Sequence, residues 1–121
     1  MTKKLNLQTG KMGQVIAKEY LQNKGYKIIE QNAGTKFFEI DIVALIQKCL
    51  VMVEVRTKKG ESFGSPEESL TKKKLKKLWF GSQSYVARKK WKGDYRVDAV
   101  CVVLSLDNTL DRIEHYENIA I

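Results

Sequence analysis

Residues 37–60, FFEIDIVALIQKCLVMVEVRTKKG, constrain the fold more than any other stretch. Two apolar, β-branched runs flank Gln47-Lys48 and predict strands near 37–46 and 49–58, joined by a tight hairpin in the middle of a sheet. Glu39, Asp41, Glu54 and Arg56 interrupt them, and an unpaired charge in a buried sheet is costly. A two-residue loop sets Ile46 opposite Cys49, which puts Asp41 opposite Glu54 and Glu39 opposite Arg56. With a side-chain period of two, all four then project from the face that also carries Val43, Leu45, Leu50 and Met52. A loop of odd length would split the charges between faces, so the chemistry favours the even loop.

Facing carboxylates repel unless something positive lies between them. Such a pair suits a hard cation, Mg2+ or Mn2+, which needs one or two carboxylates, keeps several waters and takes further oxygens from a phosphate. Arg56 would stabilise charge developing on the phosphoryl oxygens. The same pattern also fits a cross-strand Glu39–Arg56 ion pair beside exposed Asp41 and Glu54, and the charges alone leave both open.

The 121 residues suffice for one domain, 1–121, with one core. Met12, Val15, Ile16 and Tyr20 recur at helical spacing and Gly25 follows as a cap, predicting a helix over about 10–24, with Gly10 and Gly13 at its start. A strand over Tyr26–Gln31 precedes a turn at Asn32, Ala33 and Gly34. After the hairpin, Ser65 is placed to cap, Pro66 to open and Glu68 to close the capping box of a helical turn. The main second helix should run from Thr71 to Lys90, burying Leu75, Leu78, Trp79, Ser82, Tyr85 and Val86 and ending at Gly93. YRVDAVCVVLSL reads as a central strand and Arg112 to Glu117 as a last one. A strand–helix–strand crossover returns in parallel, so the fold class is α/β, a mixed sheet flanked by helices.

The net charge of +8 is local: residues 70–93 hold nine basic residues and no acid, leaving 13 basic against 14 acidic elsewhere. Lys72, Lys73, Lys74, Lys76, Lys77, Arg88, Lys89, Lys90 and Lys92 thus form a candidate surface for a polyanion, nucleic acid above all. A solvated helix face serving solubility is the alternative. No apolar run is long enough for a membrane span or signal peptide, which predicts a cytoplasmic protein without a membrane partner. Cys49 and Cys101 read as reduced and structural, and His115, without a nucleophile at recognisable spacing, as structural too. Trp79 belongs to the core stripe. Phe80 and Trp91 are candidates for base stacking or for a homodimer interface.

EIDIVA followed by VEVR resembles the PD-(D/E)XK nuclease signature. More narrowly, the chain is similar to the YraN family of small proteins that resemble archaeal Holliday junction resolvases. GKMGQVIAKEYLQNKGYKIIEQN, FGSPEESLTKKKLKKL, YRVDAV and IEHYENIAI carry the likeness nearly end to end. The resemblance implies a restriction-endonuclease-like core, with Asp41, Glu54 and the Val55 carbonyl as metal ligands and Glu39 and Arg56 completing the catalytic cluster. Lys74 matches a lysine at the start of the family's second helix. The implied substrate is DNA more than RNA, branched or damaged. Gln14 replaces a helix glutamate of the family and Arg56 a lysine, while Phe38 and Val97 replace a more usual Gly and Phe. These departures imply a weakened or adapted endonuclease or, alternatively, a non-catalytic binding module with Arg56 as phosphate clamp.

Overall fold

The computed structural model describes residues 3–34 and 38–120. The elements in chain order are α1 (Lys3–Asn23), β1 (Lys27–Gly34), β2 (Glu39–Ile46), β3 (Cys49–Lys59), a 3-10 turn (Pro66–Ser69), α2 (Lys72–Arg88), β4 (Asp94–Leu104) and β5 (Leu110–Tyr116). They form one mixed five-stranded sheet in the order β1-β2-β3-β4-β5. β3 and β4 are parallel across the α2 crossover and the other neighbours are antiparallel, as expected from the sequence. β4 lies inside the sheet, although β3 is the middle strand. This is the mixed α/β architecture of restriction-endonuclease-like proteins. Among the described residues no helix is long and apolar enough to cross a membrane.

Each sheet face has its own core. Ile42, Ala44, Val51, Val53, Val100 and Val102 pack with Ala17 and Leu21 of α1. Val43, Leu50, Met52 and Val97 pack with Leu78 and Tyr85 of α2. The hairpin register is the one expected, Ile46 with Cys49 through Ile42 with Val53. Gln47 and Lys48 both adopt positive φ, the turn that matches the twist of the flanking strands. Gly25, at φ 93°, closes α1 in a Schellman arrangement, with Tyr26 N–H donating to the Leu21 carbonyl and Gly25 N–H to that of Gln22.

Several boundaries differ from the sequence expectation. The α1 helix starts at Lys3, so Gly10 and Gly13 are interior and not its opening. Gly13 is buried where α1 crosses β3, and a Cβ there would overlap the Thr57 side chain. Asn32, Ala33 and Gly34 belong to β1: Asn32 takes φ 51° within the strand, and Ala33 is buried opposite Ile40. Phe37, expected to open the first hairpin strand, lies outside the described residues. Ser65 makes no side-chain cap, and the turn is 3-10; Thr71 caps α2 instead, accepting from Lys74 N–H at 3.2 Å. The α2 helix stops before Gly93, with Lys90 at φ 57° and Trp91 N–H donating to the Val86 carbonyl. Gly93 lies under the Trp91 ring, 2.9 Å from where a Cβ would stand.

The two α1 glycines make opposite predictions. Gly13→Ala overpacks the helix against β3 and should cost about 1–3 kcal/mol. Gly10 faces open space, so Gly10→Ala should add roughly 0.5–1 kcal/mol. Urea unfolding midpoints should move down for the first and up for the second.

Candidate active site

The site begins where the hairpin ladder stops. Pairing of β2 with β3 ends at Ile42–Val53, and in continued register Ile40 would bond Val55. Ile40 instead packs on the α2 side, as Val43 does, while Ile42 packs on the α1 side, so strict alternation fails at Asp41. Asp41 Oδ2 accepts the Val55 N–H at 2.8 Å, standing in for the absent backbone bond. N–H and C=O of one strand residue point to the same side, so the Val55 carbonyl also faces the gap beside Asp41. On the α1 side, Gln14 Nε2 donates to the Asp41 backbone carbonyl at 3.1 Å.

Burial, a proton shared with Glu54 and the Glu54 charge push the Asp41 carboxyl up to about 8, against the opposing Val55 N–H. Glu54 is itself buried, and its Oε2 makes no hydrogen bond. Lys74 Nζ lies 3.2 Å from that oxygen and Arg56 Nη1 4.0 Å, close enough for charge attraction but not aligned to donate. Together with Glu39, Lys77 and Leu78, Glu54 and Lys74 line a cavity of about 100 Å3. Phe38 forms another wall, its ring 2.7 Å from where a Gly81 Cβ would stand.

The expected Glu39–Arg56 pair does not form: Glu39 is exposed, and Arg56 Nε donates to Ser69 Oγ at 2.7 Å. Splaying of the strands beyond Ile42 separates that pair, while Asp41 and Glu54 stay together. Ser69, unmarked by any spacing, is fixed from β5. Arg112 bonds Glu67 at 2.6 and 3.0 Å and Glu61 at 2.7 Å, and Ser69 donates to the Pro66 carbonyl at 2.6 Å. The Arg112 bonds hold the Glu67 carboxyl down at about 2.

The basic run is spread along the whole length of α2. Lys74 and Lys77 border the carboxylates, and Lys72, Lys73 and Lys76 are exposed on the same half of α2. Arg88, Lys89, Lys90 and Lys92 lie at the far end, roughly 25 Å away at 1.5 Å per residue. There Lys89 approaches Glu30 at 3.8 Å, and Arg88 sits over the Tyr85 ring. Trp91 donates to the Asp94 carbonyl and packs into the α2-side core, whereas Phe80 stays 58% exposed. Trp79 stacks on Tyr95, as its stripe position implied.

A second charged cluster lies on the opposite sheet face. The fully buried Asp98 accepts from Arg96 Nε at 3.0 Å, His115 at 2.8 Å and Asn118 N–H at 2.9 Å. Lys24 has only protons to offer, so His115 Nδ1 accepts from it at 2.9 Å and the Nε2 proton goes to Asp98. Both ring nitrogens are thereby taken up by hydrogen bonds within the fold, the structural role expected of His115.

Among the described residues no group of three His, Cys, Asp or Glu side chains could surround a metal. The donors at the splay are two carboxylates and a backbone carbonyl. That set fits a magnesium-type ion, which fills its shell with water and substrate oxygens. The buried, hydrogen-bond-free Glu54 Oε2 and the raised Asp41 carboxyl are what such an ion would relieve.

A mixed sheet with paired carboxylates at the end of a central hairpin ladder defines a nuclease-type class of fold. The match is also one of family: the model of "Uncharacterised protein family UPF0102" covers residues 13–102, and the chain belongs to that family, the one identified above as YraN. A UPF0102 protein of Herpetosiphon aurantiacus is 40% identical over 117 residues, 93% of each chain. One from Caldanaerobacter subterraneus subsp. tengcongensis is 39% identical over 119 residues, 96% of this chain and 98% of its own. Another, from Persephonella marina, is 42% identical over 95 residues, covering 78% of this chain and 82% of the relative.

The raised Asp41 carboxyl would make binding of a cation there pH-dependent. Without a cation, folding must keep this group protonated up to about 8, so its contribution to stability falls as pH rises from its ordinary value near 3.8. A bound cation must displace that proton. Affinity for Mn2+, measured by isothermal titration, should rise about tenfold per pH unit between pH 6 and 8. Asp41→Asn should remove both the affinity and the slope.

Proposed function

We propose that this protein is a Mg2+- or Mn2+-dependent endonuclease acting on cytoplasmic DNA, branched or damaged in structure, with an adapted active site. The observation that carries this reading is the buried Asp41–Glu54 pair at the splayed edge of β3, with one carboxylate oxygen lacking any hydrogen bond. Asp41, Glu54 and the Val55 carbonyl would hold the cation, which supplies Lewis-acid activation of a phosphodiester and of the attacking water. Arg56, braced by Ser69, orients a phosphate oxygen and offsets its growing charge. Arginine cannot take up a proton, so proton transfer falls to the carboxylates. Lys74, half-exposed beside Glu54, would be free to neutralise a substrate phosphate if a cation took its place at that oxygen. Glu39, at the cavity rim, orients water, and Lys73, Lys76 and Lys77 guide the backbone of the nucleic acid.

One observation favours a second reading. Lys74 already supplies Glu54 with positive charge, and Arg56 is anchored, an arrangement that also suits a non-catalytic module clamping phosphate without a metal. One double variant separates the two. Gln14→Glu adds a carboxylate beside Asp41 and Arg56→Lys gives a smaller cation, so Gln14→Glu/Arg56→Lys should raise metal-dependent cleavage if the site is catalytic. For a clamp, losing the bidentate guanidinium lowers affinity and yields no cleavage. Cleavage by the unmodified protein, abolished in Asp41→Asn, establishes the nuclease. No cleavage by either form, on branched, linear and single-stranded DNA with both metals, rejects it.

A further inference from the structure

The β3 strand runs to Lys59, six residues past the last one paired with β2, and it is bonded to β4 on its other side. Its free edge floors a cleft of about 410 Å3 between the first half of α1 and the 60–65 loop. Arg56, Lys58 and Lys59 contribute to the walls, and among the described residues no acidic one lines them. Net charge along the sequence hides this patch, because two of the neighbouring acids, Glu61 and Glu67, are committed to Arg112, and the third, Glu68, lies against Gly64 at the mouth. Lys58 and Lys59 make no ion pair among the described residues. At the mouth, Phe63 is 98% exposed in a loop bounded by Gly60 and Gly64, both at positive φ. A fully exposed phenylalanine beside three cations gains nothing from folding, but it presents a ring face to a base.

We propose that this cleft binds a single-stranded segment of nucleic acid, its phosphates on Arg56, Lys58 and Lys59 and one unpaired base stacked on Phe63. The inference rests on the nuclease reading in one respect: Arg56 lines the cleft and stands 4.0 Å from Glu54, so a strand lying there leads to the carboxylates. Flat stacking on Phe63 needs a base outside the duplex, and this selects substrates with an unpaired region at the cut.

The test is fluorescence anisotropy in EDTA, with a labelled oligothymidine and a duplex of equal length. The single strand should bind more tightly. Phe63→Ala, a surface change, should weaken single-strand binding roughly five- to a hundredfold and leave duplex binding unchanged. Lys58→Gln/Lys59→Gln should also lower the salt dependence of single-strand binding, by about 0.7 logarithmic unit for each phosphate no longer neutralised. Equal single-strand affinity for Phe63→Ala and the unmodified protein, or tighter binding of the duplex, overturns the proposal. Cleavage that survives in Phe63→Ala with unchanged single-strand affinity removes the cleft and keeps the nuclease. Phe63-dependent binding by a protein that never cleaves removes the nuclease and keeps the cleft.

Discussion

The hydrogen bond from Val55 N–H to the Asp41 carboxylate replaces a backbone bond, and the architecture of the site follows from that exchange. Had the ladder continued through Ile40–Val55, Asp41 would be one more sheet residue and the free edge of β3 would start only beyond Arg56. Because Ile40 turns toward α2 instead, the strands part. Asp41 is then brought against Glu54, the Val55 carbonyl faces the gap, and residues beyond Val53 are left open to a ligand. The arrangement is electrostatically unfavourable on its own, as the raised Asp41 carboxyl records. A fold that concentrates carboxylates in a buried position is one that a cation would relieve, which is what the proposed metal site requires.

The remaining scaffold holds this splay in place from both sides. On the α1 side, Gly13 lets the helix approach β3 closely enough for Gln14 to reach the Asp41 carbonyl. On the α2 side, a relay runs from Arg112 of β5 through Glu67 to the 3-10 turn, and from Ser69 of that turn to Arg56. The guanidinium beside Glu54 is therefore positioned by the last strand of the chain. Asp98 and Arg96 perform a parallel task on the other face, tying β4 to His115, Asn118 and Glu117.

The strand pairing of the hairpin was legible because a two-residue turn and a period of two leave one register, and that register already placed Asp41 against Glu54. The parallel return of β4 was legible from the order of elements. The splay was not, since nothing in EIDIVA marks where alternation fails, and so the Glu39–Arg56 pair was expected where the strands in fact diverge. Glycine misled twice. Gly13 is required by a helix–strand contact and Gly93 by the neighbouring Trp91 ring, side-chain contacts that backbone rules read as a helix start and a helix end. Ser69 carried no pattern at all, because its role depends on a turn fixed by residues more than 40 positions later in the chain. Counting charge along the sequence singles out the α2 lysines and passes over Lys58 and Lys59, since it cannot see that Glu61 and Glu67 are bonded to Arg112.

The central claim is that Asp41 and Glu54 are a cation site and not a buried ion pair with Lys74. Anomalous scattering from crystals soaked in manganese at pH 8 tests it directly. The account predicts a peak between the two carboxylates, within coordinating distance of the Val55 carbonyl, and Lys74 Nζ moved away from its 3.2 Å approach to Glu54. Lys74 still seated on Glu54, with no manganese between the carboxylates, would contradict it.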